Sequence, residues 1–360
     1  MLVDLRIYLV KNLGDDLFLD IISNRYKNVK FIIYPRVKYY DGEINSNIII
    51  KDNYLEMKYN DLCNKLKLYF LNTNRLESKR CDATVIVGGS IFQESKNWHI
   101  LKKKLSLYNN LNPKYYILGC NFGPFRSKKF FDIHKDIIKK SKDVCFRDKK
   151  SYIMFKQMPN VRYAADLVFS LDTRKYNTKK QKKVVISLID LSWRNKLSEF
   201  LNDYENKIIE IIIYFVNKQY QITLMSFSKF EGDEDAIERV ISKLPMELSE
   251  KVNKYYYNGN IKSALLEVSS SEIVVASRFH ANILGLLFNK TIIPIIYSNK
   301  TANLLDDINF KGKKTTVEEI NNFDINFSDR DLSYKVNVDK EIESSQSQFL
   351  TLDKLLKNKE

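Results

Sequence analysis

Short apolar runs recur along this chain, each followed by a few glycine or polar positions and then by apolar residues at helical spacing. Residues 2–10 read as a strand and 17–26 as a helix, with Leu17, Ile21 and Ile22 on one face. Residues 31–34, 83–87, 115–118 and 143–146 read as further strands, and 55–71, 130–140 and 149–155 as helices between them. The pattern lapses over 173–183, a polar stretch with six basic residues, and then restarts. Strands are expected at 184–189, 222–227, 255–257, 273–276 and 291–297, with helices within 196–219, 232–243, 261–268, 281–288 and 301–308. Continuous apolar strands alternating with helices point to parallel sheets buried on both faces. The expectation is an α/β protein with two Rossmann-like, doubly wound parallel-sheet domains facing a cleft. Residues 1–172 and 184–330 would be the domains and 173–183 the linker. The tail 331–360 would be a helix packing back on the first domain, with Ile342, Phe349, Leu352 and Leu356 on its apolar face.

A length of 360 residues is long for one core and natural for two. The longest apolar runs, 208–216 and 283–288, fall short of the ~20 residues of a membrane-spanning helix. Asp4 and Arg6 interrupt the first apolar stretch, unlike a secretory signal, so a cytoplasmic location is expected. The net charge of +15 comes from lysines spread along the chain, beside abundant asparagine, isoleucine and tyrosine. That suggests a compositional bias with a modest basic face, which would allow peripheral contact with an anionic membrane. No nucleic-acid-binding motif accompanies it, so no nucleic-acid partner is expected. Four scattered cysteines and three histidines give no metal-ligand spacing, so buried thiols and no metal are expected. Two histidines, His99 and His134, sit in polar helical stretches and read as surface residues.

The residues with chemical potential follow the strands, at the carboxyl ends where open α/β sheets bind ligands. Asn12-Leu13-Gly14-Asp15-Asp16 follows the first: Gly14 permits a tight turn into a helix and the carboxylates can accept sugar hydroxyls, unless an Asp only caps the helix. Gly88 and Gly89 follow another and let a backbone approach a ligand, with Gln93 and Glu94 just beyond. Asn121 opens a rigid turn, and Arg147 can fork onto a carboxylate or phosphate, unless it only pairs internally while Asp148 caps the next helix. The sharpest feature is Ser277-Arg278-Phe279-His280-Ala281-Asn282, which puts a histidine between an apolar strand and a helix, a place suited to acid–base work or phosphate contact. Lys300 and Thr301 follow the next strand and suit an anion.

Together these segments resemble the polysaccharide pyruvyl transferase family. The matching stretches are residues 12–16, 85–90, 119–124, 145–148, 163–171 (YAADLVFSL), 277–285 (SRFHANILG) and 297–306 (YSNKTANLLD), in the family's order; Ala165 stands where the family often has proline. The resemblance implies a fold like the two-domain B-type glycosyltransferases. It implies transfer of pyruvate from phosphoenolpyruvate onto two hydroxyls of one sugar, in a glycan or lipid-linked saccharide, to form a cyclic ketal, with no cofactor. The family's key histidine maps onto His280, and its donor-binding cations onto Arg147, Lys300 and Arg278. Asp15 would orient an acceptor hydroxyl, with Asn12, Gly14, Gly88, Gly89, Asn121 and Thr301 lining the substrate site. A glycosyltransferase using a nucleotide sugar, or a non-catalytic module binding anionic glycans, would place similar residues on the same fold.

Overall fold

The computed structural model describes residues 1–35, 45–51, 58–60, 62–63, 66, 68, 78–94, 114–176, 178–194 and 196–357. The chain divides into two compact units. Met1–Leu9, Leu17–Ser170 and Glu341–Glu360 form the first, and Val10–Asp16 with Leu171–Lys340 the second. The turn at residues 12–16, assigned from its position to the first domain, thus has its contacts with the second.

The first unit carries a sheet in the order β3-β2-β1-β4-β5-β6-β7. Its strands are β1 (Leu2–Arg6), β2 (Lys30–Ile33), β3 (Ile48–Ile50), β4 (Ala83–Val87), β5 (Tyr115–Cys120), β6 (Asp143–Phe146) and β7 (Val161–Tyr163). The second carries β10-β9-β8-β11-β12-β13, from β8 (Lys183–Ser187), β9 (Gln221–Met225), β10 (Val252–Tyr255), β11 (Ile273–Ala276), β12 (Thr291–Ile296) and β13 (Thr315–Thr316). Every pairing in both sheets is parallel. Parallel sheets of this kind are buried on both faces, and the buried Val and Ile of β4, β8 and β11 fit that.

Periodicity missed the short strands β3 and β7 and the two-residue β13. It also started four helices late: they run Leu13–Arg25, Lys128–Lys140, Phe279–Leu287 and Asn299–Asp307, because Gly14-Asp15-Asp16, Lys128-Lys129, His280 and Asn299-Lys300 interrupt the apolar spacing at their starts. The stretch 173–183 is not wholly a loop, since Thr173–Tyr176 forms one 3-10 turn and Lys183 opens β8. His99 and most of the helix expected over 55–71 lie outside the described residues.

The tail comprises helices Asp339–Gln346 and Leu350–Leu356. Phe349, Leu352 and Leu356 are buried, whereas Ile342 is 37% exposed and does not share their face. Within the first unit, Arg25 donates from Nε and NH2 to the two oxygens of Asp353 at 3.0 and 2.6 Å. Buried Gln348 accepts from Gly119 N–H at 3.0 Å and donates to the carbonyls of Ala164 and Ala165.

His134 is fully buried, contrary to its expected surface place. Its ring lies 4.0 Å from that of Phe130, beside Phe92 and Phe122, and Nδ1 bonds the Phe130 carbonyl at 2.8 Å. The four cysteines are buried thiols, and burial pushes Cys145 up to about 12. No described helix is long and apolar enough to cross a membrane.

Candidate functional site

In the second unit the strand order turns back between neighbours β8 and β11, the switch point at whose carboxyl side doubly wound sheets bind ligands. A buried ion-pair network underlies this edge. Asp233 is fully buried; its Oδ2 accepts from Phe227 N–H at 2.9 Å, Ser228 N–H at 3.0 Å and Arg278 Nε at 2.9 Å, and its Oδ1 accepts from Arg278 NH2. Arg278 NH1 donates to Glu231 at 2.6 Å. Burial alone would lower the pKa of Arg278, but the charges of Asp233 and Glu231 outweigh it and hold it well above the ordinary value. All three guanidinium nitrogens are therefore engaged by carboxylates.

Glu231 is the hub. Its Oε1 accepts from Asn12 Nδ2 at 2.9 Å, and its Oε2 accepts from Arg194 at 3.0 Å as well as from Arg278. Burial would raise its pKa, but Arg278, Lys300 and Arg194 pull it down to about 2. A carboxylate ordinarily near 4.5 and held near 2 when folded stabilises the fold fully above the unfolded value and loses that contribution as pH falls from 4.5 towards 2. Wild type and Glu231→Gln should thus differ in urea midpoint at pH 7 and converge through that window. A gap independent of pH would contradict the ionic account.

Asn12 works at both ends: Nδ2 reaches Glu231, and Oδ1 accepts from Gly14 N–H at 3.0 Å. It is the N-cap of helix Leu13–Arg25, the role considered above for an aspartate. Asp16 instead accepts from the Tyr257 hydroxyl at 2.7 Å, and Asp15 lies partly exposed in the first turn.

Gly14 has a negative φ, so the turn does not demand glycine; His280 does. A Cβ at Gly14 would stand 1.7 Å from His280 Nδ1. Gly14→Ala must displace the imidazole. If His280 is catalytic, turnover should fall by at least tenfold with little loss of thermal stability. Full turnover in Gly14→Ala would show that the ring need not stand there.

His280 lies in the first turn of Phe279–Leu287 and Lys300 in the first turn of Asn299–Asp307; the N-cap residues of both helices, Arg278 and Ser298, make no side-chain capping bond. The Lys300 ammonium stands 5.7 Å from the Phe279 ring centroid and 5.6 Å from that of Tyr297, which links the two helix starts. Arg194 lies over the other approach to Tyr297, at 5.1 Å. Burial would raise the Tyr297 phenol, but the charges of Lys300, Arg278 and Arg194 outweigh it and lower it. The Ser298 and Thr301 hydroxyl oxygens are buried and have no hydrogen-bond partner among the described residues. Two helix amino termini, a lysine and two unsatisfied hydroxyls make an environment suited to an oxyanion.

The first unit holds a second constellation. Arg147 NH1 donates to Asp166 at 2.9 Å and NH2 to Asn121 Oδ1 at 2.9 Å, all buried. Asp148 accepts from Ser151 N–H and hydroxyl and so caps the following helix. A Cβ at Gly89 would come 2.2 Å from Arg147 NH2, so the glycine accommodates the guanidinium. Gly88 is buried behind it, 3.2 Å by the same measure from Ile91. Glu94 accepts from Ser127 N–H and hydroxyl, and so braces the start of helix Lys128–Lys140. Among the described residues no group of three or more His, Cys, Asp or Glu could hold a metal ion.

The family model for polysaccharide pyruvyl transferase matches residues 12–299. The chain belongs to the polysaccharide pyruvyl transferase family. The matched span includes every site residue named from the sequence except Lys300 and Thr301, which immediately follow it. No curated protein matches the chain. In fold, this transferase-family member resembles UDP-GlcNAc 2-epimerase from Neisseria meningitidis, at TM-score 0.59 and 10% identity over 99% of this chain and 100% of the other. The Methanocaldococcus jannaschii UDP-GlcNAc 2-epimerase gives TM-score 0.57 and 10% identity over 98% and 100%. These likenesses carry the two-domain α/β fold of B-type glycosyltransferases and, at such identities, nothing finer. Sequence reasoning passed over Asp166, Arg194, Glu231, Asp233 and Tyr297 in this family member. Only Asp166 and Tyr297 lie inside motifs quoted for the resemblance, and the other three gain their meaning from partners distant in the chain.

Proposed function

We propose that this protein transfers the pyruvyl group of phosphoenolpyruvate to two hydroxyls of one sugar, in a glycan or lipid-linked precursor of a cell-surface or exported polysaccharide. The observation that carries the reading is the cationic edge of the second unit, where Lys300, His280 and two helix starts with no capping side chain gather within a matched pyruvyl transferase chain. The donor is a small polyanion, and such an edge can hold its phosphate or carboxylate. In the reaction the methylene carbon of the donor gains a proton and its C2 becomes oxocarbenium-like. One sugar hydroxyl adds there, the C2–O bond to phosphate breaks, and the second hydroxyl closes the ketal; of the two hydroxyl protons, one balances the proton gained by the methyl carbon and the other leaves with phosphate. His280 supplies acid–base catalysis or grips the phosphate. Lys300 and Thr301 bind the donor, Arg147 offers a donor-binding cation in the first unit, and Arg278 positions the edge of the second unit through Glu231 and Asp233. Asp15 orients an acceptor hydroxyl; Asn12 and Gly14 shape the turn that carries it, and Asn121, Gly88 and Gly89 hold Arg147 in place. The proposed reaction uses no cofactor and takes its donor, phosphoenolpyruvate, from the cytoplasm.

Incubation with phosphoenolpyruvate and a cell-derived lipid-linked saccharide fraction should release inorganic phosphate and add a pyruvyl ketal to the saccharide by mass. Release of a nucleotide from a sugar nucleotide, without phosphate from phosphoenolpyruvate, would replace this reading with glycosyl transfer on the same fold. Phosphoenolpyruvate should also raise the thermal midpoint, because it binds only the folded state. That rise should shrink in Arg147→Ala and Lys300→Ala; an undiminished rise in both removes these residues from the donor site.

A further inference from the structure

Pyruvyl transfer gives no role to the basic stretch 173–183. The structure ties its end to helix Ile261–Ser270, and ties Thr291, next to Lys290, to the residues after that helix and to Leu332. Gln181 N–H donates to Ser270 O at 2.9 Å and the Thr178 hydroxyl meets that of Ser269 at 3.0 Å. Thr291 donates from N–H to Glu272 O at 3.2 Å and from its hydroxyl to Leu332 O at 2.7 Å. Lys180, Lys290 and Lys335 are thereby brought together at the amino-terminal end of β8, β11 and β12, the opposite end from His280 and Lys300.

We propose that Lys180, Lys290 and Lys335 form a binding site for a phosphate-type oxyanion, with buried Lys290 as its floor and exposed Lys180 and Lys335 as its rim. Lys290 is 4% exposed, and its ammonium donates to the Ser269 carbonyl in the last turn of helix Ile261–Ser270. That bond caps a helix and accounts for one of three N–H donors. Capping does not call for two further lysines beside it. The charges facing Lys290 are Lys180, Lys335 and one carboxylate, Glu272, which also serves the Tyr220 hydroxyl. Nearby Lys183 is already paired with Glu267 at 2.6 Å. Three ammonium groups around one shared carboxylate leave an excess of positive charge at a partly dry place, which an oxyanion with several acceptors would neutralise. In keeping with this, burial and then Lys180 and Lys335 lower Lys290 to about 8. An anion favours its protonated form, so affinity should fall as pH rises beyond 8.

The test is the thermal midpoint against inorganic phosphate, at constant ionic strength in chloride, at pH 7 and pH 9. Wild type should gain about 2 °C or more at saturating phosphate at pH 7 and clearly less at pH 9. Lys300→Ala, which removes the oxyanion edge at the opposite end of the sheet, should still show a phosphate response. On that Lys300→Ala background, Lys290→Met and the double variant Lys180→Gln/Lys335→Gln should lose it, with apparent affinity at least tenfold weaker. The rim lysines are exposed, so the double variant folds even if Lys290→Met does not. Cosedimentation with phosphatidylglycerol vesicles, against phosphatidylcholine vesicles, identifies the source: vesicle binding lost in the double variant supports the site with a lipid headgroup as its anion. An undiminished phosphate response in the double variant overturns the proposal, as does no response of wild type to either phosphate or anionic vesicles.

Discussion

His280→Ala should cut turnover by about 100- to 10,000-fold if the imidazole moves a proton, the usual scale for general acid–base catalysis. The structure sharpens this expectation. His280 opens a helix at the switch point of the second sheet, and Gly14 makes room for its ring at a distance no side chain would tolerate. A histidine that only grips phosphate predicts a different pattern: weaker donor binding, with near-normal turnover at saturation. His280→Gln keeps size and one hydrogen bond, so it should rescue the binding role and not proton transfer. Measured kcat and KM for phosphoenolpyruvate in both variants decide. Unchanged specific activity in folded His280→Ala would sink the catalytic assignment.

The sheets were legible because their strands are buried on both faces, so apolar content alone marks β4, β8, β11 and β12. The strands that escaped are too short for any period to register. The candidate site was legible as positions where a polar residue follows a strand directly, as at Arg147, His280 and Lys300. It was illegible where an arrangement rests on long-range pairing. Nothing near Glu231 in sequence announces that Asn12, 219 positions away, will bond it. Gly14 and Gly89 show a subtler failure. Gly14 reads as a turn glycine and Gly89 as one that lets the backbone approach a ligand, but a close side chain, His280 in one case and Arg147 in the other, is what excludes a Cβ there. His134 erred in the other direction. Its neighbours along the helix are polar, but position 134 falls on the face with Phe130, Ile137 and Ile138, which the fold buries.

Asp233→Ala should destabilise the second unit by about 3–5 kcal/mol, the scale for breaking a buried ion pair by removing one partner. The substitution takes the acceptor from two nitrogens of Arg278 and from the backbone N–H groups of Phe227 and Ser228. Each buried donor left unmade adds a cost of about 1–3 kcal/mol. Arg278→Met should cost less, because Asp233 would keep both backbone bonds and Glu231 would keep Arg194 and Asn12. The loss in Asp233→Ala should therefore exceed that in Arg278→Met, and the double variant should recover little, since the two backbone donors stay unbonded. Urea unfolding followed by a probe in the second unit gives all three values. If Arg278→Met proves the more destabilising, the guanidinium rather than the carboxylate organises this edge, and Asp233 serves mainly as its counter-ion. A loss below about 1 kcal/mol in Asp233→Ala would mean that water enters and satisfies these groups, and that the edge beneath His280 is not the dry, fixed scaffold that directed proton transfer requires.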